Sequence, residues 1–196
     1  MAKQSYYDSS QRVAAHENLD AYSVRTFPLG DRLRRLIWQM AWLVFYRPSP
    51  KTFHGWRSLV LRCFGARMGK SCFFYPNVRI WAPWNLECEE LVTAADGAEI
   101  YNPAPLKLGS HAIVSQGAYL CGATHDFHDP KFPYLAYPSE IGRYAWICAR
   151  AIVGPGVQVG EGAVLALGAV AVKNLEPWSV YGGNPAVKIK ERKVIC

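Results

Sequence analysis

Two histidines stand at the edge of the one long stretch of this sequence that has no repeat. His125 ends the ordered pattern before it, and His128 lies within DFHDPKFPYLAYPSE, residues 126–140. An imidazole, with a pKa of about 6.5, can take a proton from an attacking hydroxyl at neutral pH and return it to a leaving group. A regular scaffold holds His125, and a loop rich in proline and aromatic residues covers it, the usual arrangement of a binding or catalytic excursion. His125 is therefore the candidate general base. His128 is a candidate to orient that base or to contact an acceptor, with loop packing as the other reading. No covalent nucleophile stands out, because Cys121 and Cys148 occupy regular places of the pattern, where side chains are buried. His111, His125 and His128 also make up the ligand number of a catalytic zinc site. Against that reading, His111 falls at a different place of the pattern and no histidine follows His128; no metal is expected.

The element that must hold His125 is an internal repeat. From Ile141 the chain reads IGRYAW, ICARAI, VGPGVQ, VGEGAV, LALGAV, each six opened by an aliphatic residue, with Gly, Ala or Cys next and Ala or Val at the fifth place. A period of six matches neither the 3.6 of a helix nor the turn spacing of a hairpin meander. It fits an all-β solenoid, one short parallel strand and one corner per six and three sixes per coil. The opening aliphatics are expected to stack inside the coil, and the small second residue to ease the corner. The frame is clean from Leu108 to His125 and fainter back to Met68, with an eight-residue step after Ile100 that holds Asn102, Pro103 and Pro105. The expected divisions are a polar tail and helical extension at 1–67, the solenoid at 68–181 with its loop at 126–140, and a basic tail at 182–196.

These sixes, with the closing turn GGNPA at Gly182–Ala186, resemble the hexapeptide-repeat acyltransferases. Within them the chain is similar to the colanic-acid-biosynthesis type of sugar O-acetyltransferase and, more distantly, to the galactoside and maltose types, over Trp56 to Lys190. The resemblance implies a left-handed parallel β-helix of four to five coils, a homotrimer with sites between subunits, and acetyl-CoA as acyl donor. It implies a catalytic histidine at the place of His125, before a protruding loop and an aligned Trp146. Ala149, Leu167, Val172 and Lys173 would line the groove for the coenzyme A arm, with Trp146 flanking it and Lys188 or Lys190 facing the phosphates. The acceptor would be a saccharide hydroxyl. The family's acceptor-contacting Asn and Asp align near Ala95 and Pro103, leaving Asn102 and Asp96 as the nearest polar substitutes. An amine or serine acceptor, a zinc protein like the γ-type carbonic anhydrases and a non-catalytic scaffold are the alternatives.

At 196 residues, 51% hydrophobic, the chain can bury a sizeable core. Six cysteines without a CxxC pair read as reduced core residues of a cytosolic protein, and the polar start MAKQSYYDSSQR lacks an apolar signal core. The net charge of +7 is concentrated: between Ala21 and Lys70, ten basic residues including Arg25 face a single acid, Asp31. The apolar run Leu36–Tyr46 is too short for the roughly 20 residues that span a bilayer. It predicts a helix from Asp31, as N-cap, to Tyr46, and a second from Phe53 to Phe64, ended by Gly65. These helices either pack on the solenoid or a neighbouring subunit, or present Arg32, Arg34, Arg35, Trp38 and Trp42 to the anionic inner face of the membrane. No nucleic-acid motif appears, and nucleic acid is not expected as a partner.

Overall fold

The repeat becomes a three-faced coil. The computed structural model describes Ala14–Ala15 and residues 27–194, so the first thirteen residues, Arg25 and Cys196 lie outside the described residues. The first face stacks Arg67–Met68, Leu86–Cys88, Leu106–Leu108, Ser139–Ile141 and Gln158–Val159 in parallel. The second stacks Phe73–Phe74, Thr93–Ala94, Ile113–Val114, Trp146–Ile147, Val164–Leu165 and Ser179–Gly182. The third stacks Arg79–Ile80, Glu99–Tyr101, Tyr119–Cys121, Ile152–Val153 and Val170–Ala171. Five turns are complete and a sixth is begun, more than the four to five read from the sequence, because Ser179–Gly182 adds a parallel rung beyond Glu176 and Pro177.

The register carries the hexad frame from end to end. Cys88, Leu108, Ile141 and Val159 form one inward column, Phe74, Ala94, Val114, Ile147 and Leu165 a second, and Ile80, Ile100, Leu120 and Val153 a third. All are buried, as are the fifth-place residues Ala145, Ala151, Val157, Ala163 and Ala169. Each large aliphatic so buried contributes about 1.5–3 kcal/mol.

The corner itself differs from expectation. The chain bends at the fourth place, where Tyr144, Arg150, Gly156, Gly162 and Gly168 all have positive φ. The second place is small for another reason: the next coil's backbone lies against it. A Cβ on Gly142 would sit 2.7 Å from the Glu161 nitrogen, and one on Gly160 2.5 Å from the Pro177 nitrogen.

An open solenoid leaves unpaired backbone groups along its first and last strands. The N-terminal extension covers the first edge. Helix α1 (Leu29–Ala41) runs into a π-helical turn at Trp42–Tyr46, and α2 (His54–Cys63) follows, with Gly65 just beyond it at φ +92°. Asp31 is not the N-cap; it sits in the first turn, where a carboxylate favours the helix dipole, with Pro28 in the capping position. Trp38 and Trp42 are not presented outward. Their indole N–H groups donate to the edge carbonyls of Ile80, at 2.7 Å, and Val78, at 2.9 Å, while the Tyr46 hydroxyl donates to Tyr75 at 3.3 Å. An indole combines an apolar body with one donor, so it can pack on the coil and satisfy its edge together. Arg34 lies over Trp84, and Arg35 over Trp81 and Phe27. At the other end, Val187–Glu191 pairs antiparallel with Ser179–Gly182 and covers the last edge of the second face.

Arg57 ties this cap together. Fully buried, its guanidinium donates to the carbonyls of Phe74, Pro50 and Lys51 and to the Ser49 hydroxyl. Burial lowers its pKa from the usual arginine value. Replacing it with Met removes all four bonds; His54 Nδ1 and the Phe53 N–H still reach the Phe74 and Pro50 carbonyls, while the Lys51 carbonyl loses its donor. The expected cost is about 3 kcal/mol, measured as a lower urea midpoint at unchanged slope. A midpoint equal to the parent's would show that the carbonyls do not depend on the guanidinium.

Candidate active site

The corner between the third and first faces is widened in successive coils. The step from Ile80 to Cys88, like that from Ile100 to Leu108, is two residues longer than a hexad, and the step from Leu120 to Ile141 contains the whole excursion. Part of that excursion is ordered as a hairpin rather than a loop. Ala123–His125 pairs antiparallel with Tyr134–Ala136, placing His125 opposite Tyr134, and Ala14–Ala15 adds an outer strand. The hairpin leaves the coil at Gly122, whose N–H donates to the Tyr101 carbonyl at 2.7 Å; a Cβ there would lie 2.6 Å from that oxygen.

The widened turn of the preceding coil supports the hairpin. Ala104, Ala123, Tyr134 and Ala136 form a small buried cluster with Phe27 and Tyr101 against it. Asn102 is 2% exposed, and its amide makes both hydrogen bonds with the Ala82 backbone, at 2.9 and 3.0 Å, so it pins the widened turn from within. The Tyr134 and Tyr101 hydroxyls meet at 3.0 Å. Burial, and then the bond to Tyr101, push the Tyr134 phenol far above its ordinary range, so it remains a neutral donor or acceptor.

His125 is exposed at the turn end of the hairpin, away from the coil. Its ring stands edge-on to Tyr134 with centroids 5.6 Å apart, and its Nδ1 lies 2.7 Å from the Phe132 carbonyl oxygen. A carbonyl only accepts, so Nδ1 carries the proton and Nε2 keeps its lone pair. His128 lies farther along the turn, its ring against Phe127 at 4.3 Å and its backbone N–H on the Asp126 carboxylate. Tyr101, Tyr134 and the Phe132 carbonyl were not singled out by the sequence. The available signal was the short apolar run YLAY between Pro133 and Pro138, long enough for a strand inside the apparent loop.

The other candidates occupy three places. Trp146 is exposed on the second face, its indole N–H donating to Ser115 Oγ at 2.8 Å. Ala149 and Leu167 are neighbours at the corner between the second and third faces, where the Gly168 N–H donates to the Ala149 carbonyl at 3.1 Å. Val172 and Lys173 follow the last strand of the third face, at its opposite corner. Asp96 caps Asn77, accepting from its backbone and its amide at 3.1 and 3.0 Å. Lys188 is held between Glu176 and Glu191 at 2.6 and 2.7 Å, and those bonds raise its pKa. Lys190 lies in register with Val180 and has no ion pair among the described residues. Within one chain these residues do not close into a single cleft.

His111 is remote from the hairpin, at the corner between the first and second faces, stacked on Tyr144 at 4.6 Å with Ser110 Oγ at its Nδ1. Among the described residues no group of three His, Cys, Asp or Glu side chains is placed to hold a metal. Cys72, Cys88 and Cys148 are buried and unpaired, and burial raises all three thiols, leaving less thiolate at neutral pH. A brief iodoacetamide pulse at pH 7 followed by peptide mass spectrometry should modify exposed Cys63 well ahead of these three. Cys148 reacting first would reopen a thiol nucleophile.

No family model matches the chain. The Escherichia coli (strain K12) protein WcaF, assigned as a colanic acid biosynthesis acetyltransferase, is 33% identical over 177 residues, 90% of this chain and 97% of that one. The crystal structure of a maltose O-acetyltransferase from Clostridium difficile 630 superposes with a TM-score of 0.77 at 21% identity, covering 85% of this chain and 90% of that one. A hexapeptide-repeat-containing acetyltransferase of Vibrio cholerae O1 biovar eltor, complexed with acetyl coenzyme A, gives a TM-score of 0.76 at 19% identity, with 90% and 96% coverage. The chain belongs to the hexapeptide-repeat acetyltransferases, enzymes built on the left-handed parallel β-helix.

Proposed function

We propose that this acetyltransferase moves the acetyl group of acetyl-CoA to a hydroxyl of a saccharide, a precursor of an exported glycan, with His125 as general base. The carrying observation is the hydrogen bond from His125 Nδ1 to the Phe132 carbonyl. It holds one tautomer and one ring orientation, leaving Nε2 as the basic atom at the turn end of the hairpin. In the transfer, Nε2 takes the hydroxyl proton as the sugar oxygen attacks the thioester carbonyl. Collapse of the tetrahedral adduct breaks the C–S bond, and the imidazolium returns its proton to the leaving thiolate. Backbone N–H groups at a solenoid corner are the candidate donors to the oxyanion.

The named relatives support the donor and acceptor classes: acetyl coenzyme A is bound in the Vibrio cholerae protein, and maltose and colanic acid appear in the names of the others. For the coenzyme arm this reading uses Trp146, Ala149, Leu167, Val172 and Lys173. Because the two corners involved lie on opposite sides of the third face, a second copy must complete the groove, and a homotrimer supplies one. Lys190 is then the freer cation for the phosphates, Lys188 being held between two carboxylates. Asp96 and His128 remain candidates for the acceptor, whereas Asn102 acts through the turn that it pins. The unpaired cysteines accord with work in the cytoplasm.

His125→Ala is expected to lower acetyl-CoA turnover by about 10²–10⁴-fold, while circular dichroism and the mass from light scattering stay those of the parent. Undiminished turnover in a folded variant would remove the base from this mechanism. Coenzyme A release measured across sugar and amine acceptors should be greatest with sugars.

A further inference from the structure

The extension leaves one surface of its own unaccounted for. Helix α1 turns Trp38, Ala41 and Trp42 toward the coil and its aliphatic side chains away from it. Leu33, Leu36, Ile37, Met40, Leu43 and Val44 recur at helical spacing, and each is more than half exposed. Among the described residues nothing covers them. The stripe continues without a break onto the second helix: the Trp56 indole donates to the Phe45 carbonyl at 2.8 Å, holding two exposed aromatics together, and Leu59 stands exposed one turn farther along α2. An apolar surface of this extent marks a binding face.

Charge decides its occupant. Arg32 flanks the stripe on α1, and Arg47 and Lys51 stand exposed on the connection to α2. The only acid between residues 27 and 70 is Asp31, which is already paired with Arg35 at 3.8 Å. Two copies meeting through this face would set cation against cation with no free carboxylate between them, and isologous contacts need self-complementary surfaces. An anionic lipid surface supplies the missing charge to the rim and a hydrocarbon boundary to the stripe. No helix among the described residues is long and apolar enough to cross a membrane, so the contact is one of lying in the surface.

We infer that the outward face of α1, the π-turn and α2 docks on an anionic lipid bilayer. Arg32, Arg47 and Lys51 contact headgroups and the aliphatic stripe enters the interface. This surface is the reverse of the one that presents Trp38 and Trp42, and it stands independently of the acceptor's identity.

The test is flotation of the full-length protein with phosphatidylglycerol vesicles and, in parallel, with phosphatidylcholine vesicles. The parent should float with the former at low salt, be released at high salt as the charges are screened, and stay behind with the latter. The Leu36→Glu/Met40→Glu protein should float at least about tenfold less. Its acetyl-CoA turnover on a soluble acceptor and its mass in solution should be unchanged. The Arg32→Gln/Arg47→Gln/Lys51→Gln protein should lose most of the salt sensitivity. Three outcomes overturn the proposal: a parent left wholly in the soluble fraction, a double variant that floats like the parent, or a double variant with altered mass, which would make this face a contact between copies. Flotation that appears only after removal of residues 1–26 would also overturn it, by showing that this segment covers the stripe. Loss of turnover in the parent's His125→Ala variant is read separately, so failure of either proposal leaves the other standing.

Discussion

Backbone polarity at the two ends of the coil is the constraint on which the rest of the structure depends. Inside the solenoid every strand has a neighbour above and below, but the first and last do not, and unpaired edges invite association with other chains. At the N-terminal end the answer is built from side chains. Trp38, Trp42, Tyr46 and Arg57 donate to the carbonyls of Ile80, Val78, Tyr75 and Phe74. This requirement orients α1. Once the indoles must face the coil, the aliphatic residues on the opposite side of the helix, Leu33, Leu36, Ile37 and Met40, face outward, so the aliphatic stripe follows from the capping. The π-helical turn serves the same end by bringing Tyr46 to the edge with Trp38 packed against it at 6.1 Å.

The solenoid confers rigidity, and the candidate site lies where its regularity is interrupted at one corner. Three successive widenings stack there, each resting on the last: the turn at Pro83–Asn85, the turn pinned by Asn102, and the hairpin that carries His125. Asn85 donates to the carbonyls of Asn102 and Pro103, and Tyr101 carries Tyr134 through their hydroxyls. Arg35 stacks on Trp81, which meets Tyr101 edge-on at 5.0 Å. The histidine is thus held by a column of contacts that begins at α1, and the orientation of the His125 ring is set by residues several contacts away from it.

The sequence discloses what is periodic in burial. The first-place aliphatics and the fifth-place small residues were legible because both point inward in every coil, and the frame could be followed to Met68 despite weak sixes. Less legible was whatever depends on a single polar atom. The indole N–H of Trp38 is invisible to a hydropathy pattern, so a tryptophan beside arginines reads as interfacial when its donor is committed to a carbonyl. The positive φ of Tyr144 and Arg150 escaped for a related reason: the residue type gives no sign of a left-handed corner, unlike Gly156, Gly162 and Gly168 at the same place of their sixes. Asp31 has the right chemistry for an N-cap, but Pro28 already fixes the start of the helix one turn earlier. The position of His125 at the edge of the excursion was legible; the carbonyl at its Nδ1 belongs to Phe132, and any residue there could provide one.

The three outward columns differ in a way that bears on assembly. On the first face Arg67 pairs with Glu87 at 3.0 Å, and Lys107 pairs with both Glu89 and Glu140 at 3.2 Å. Exposed pairs of this kind contribute about 0–1 kcal/mol to stability, yet covering them would remove water from five charges, a penalty that imperfect pairing does not recover. The column on the second face reads Phe73, Thr93, Ile113 and Trp146, with no charge and little water to lose. Contact with another copy is therefore favoured at the second face and opposed at the first. Trp146 stands in the favoured column, held by Ser115 in a fixed orientation, so a groove that needs a second copy would form beside a ring already set in place.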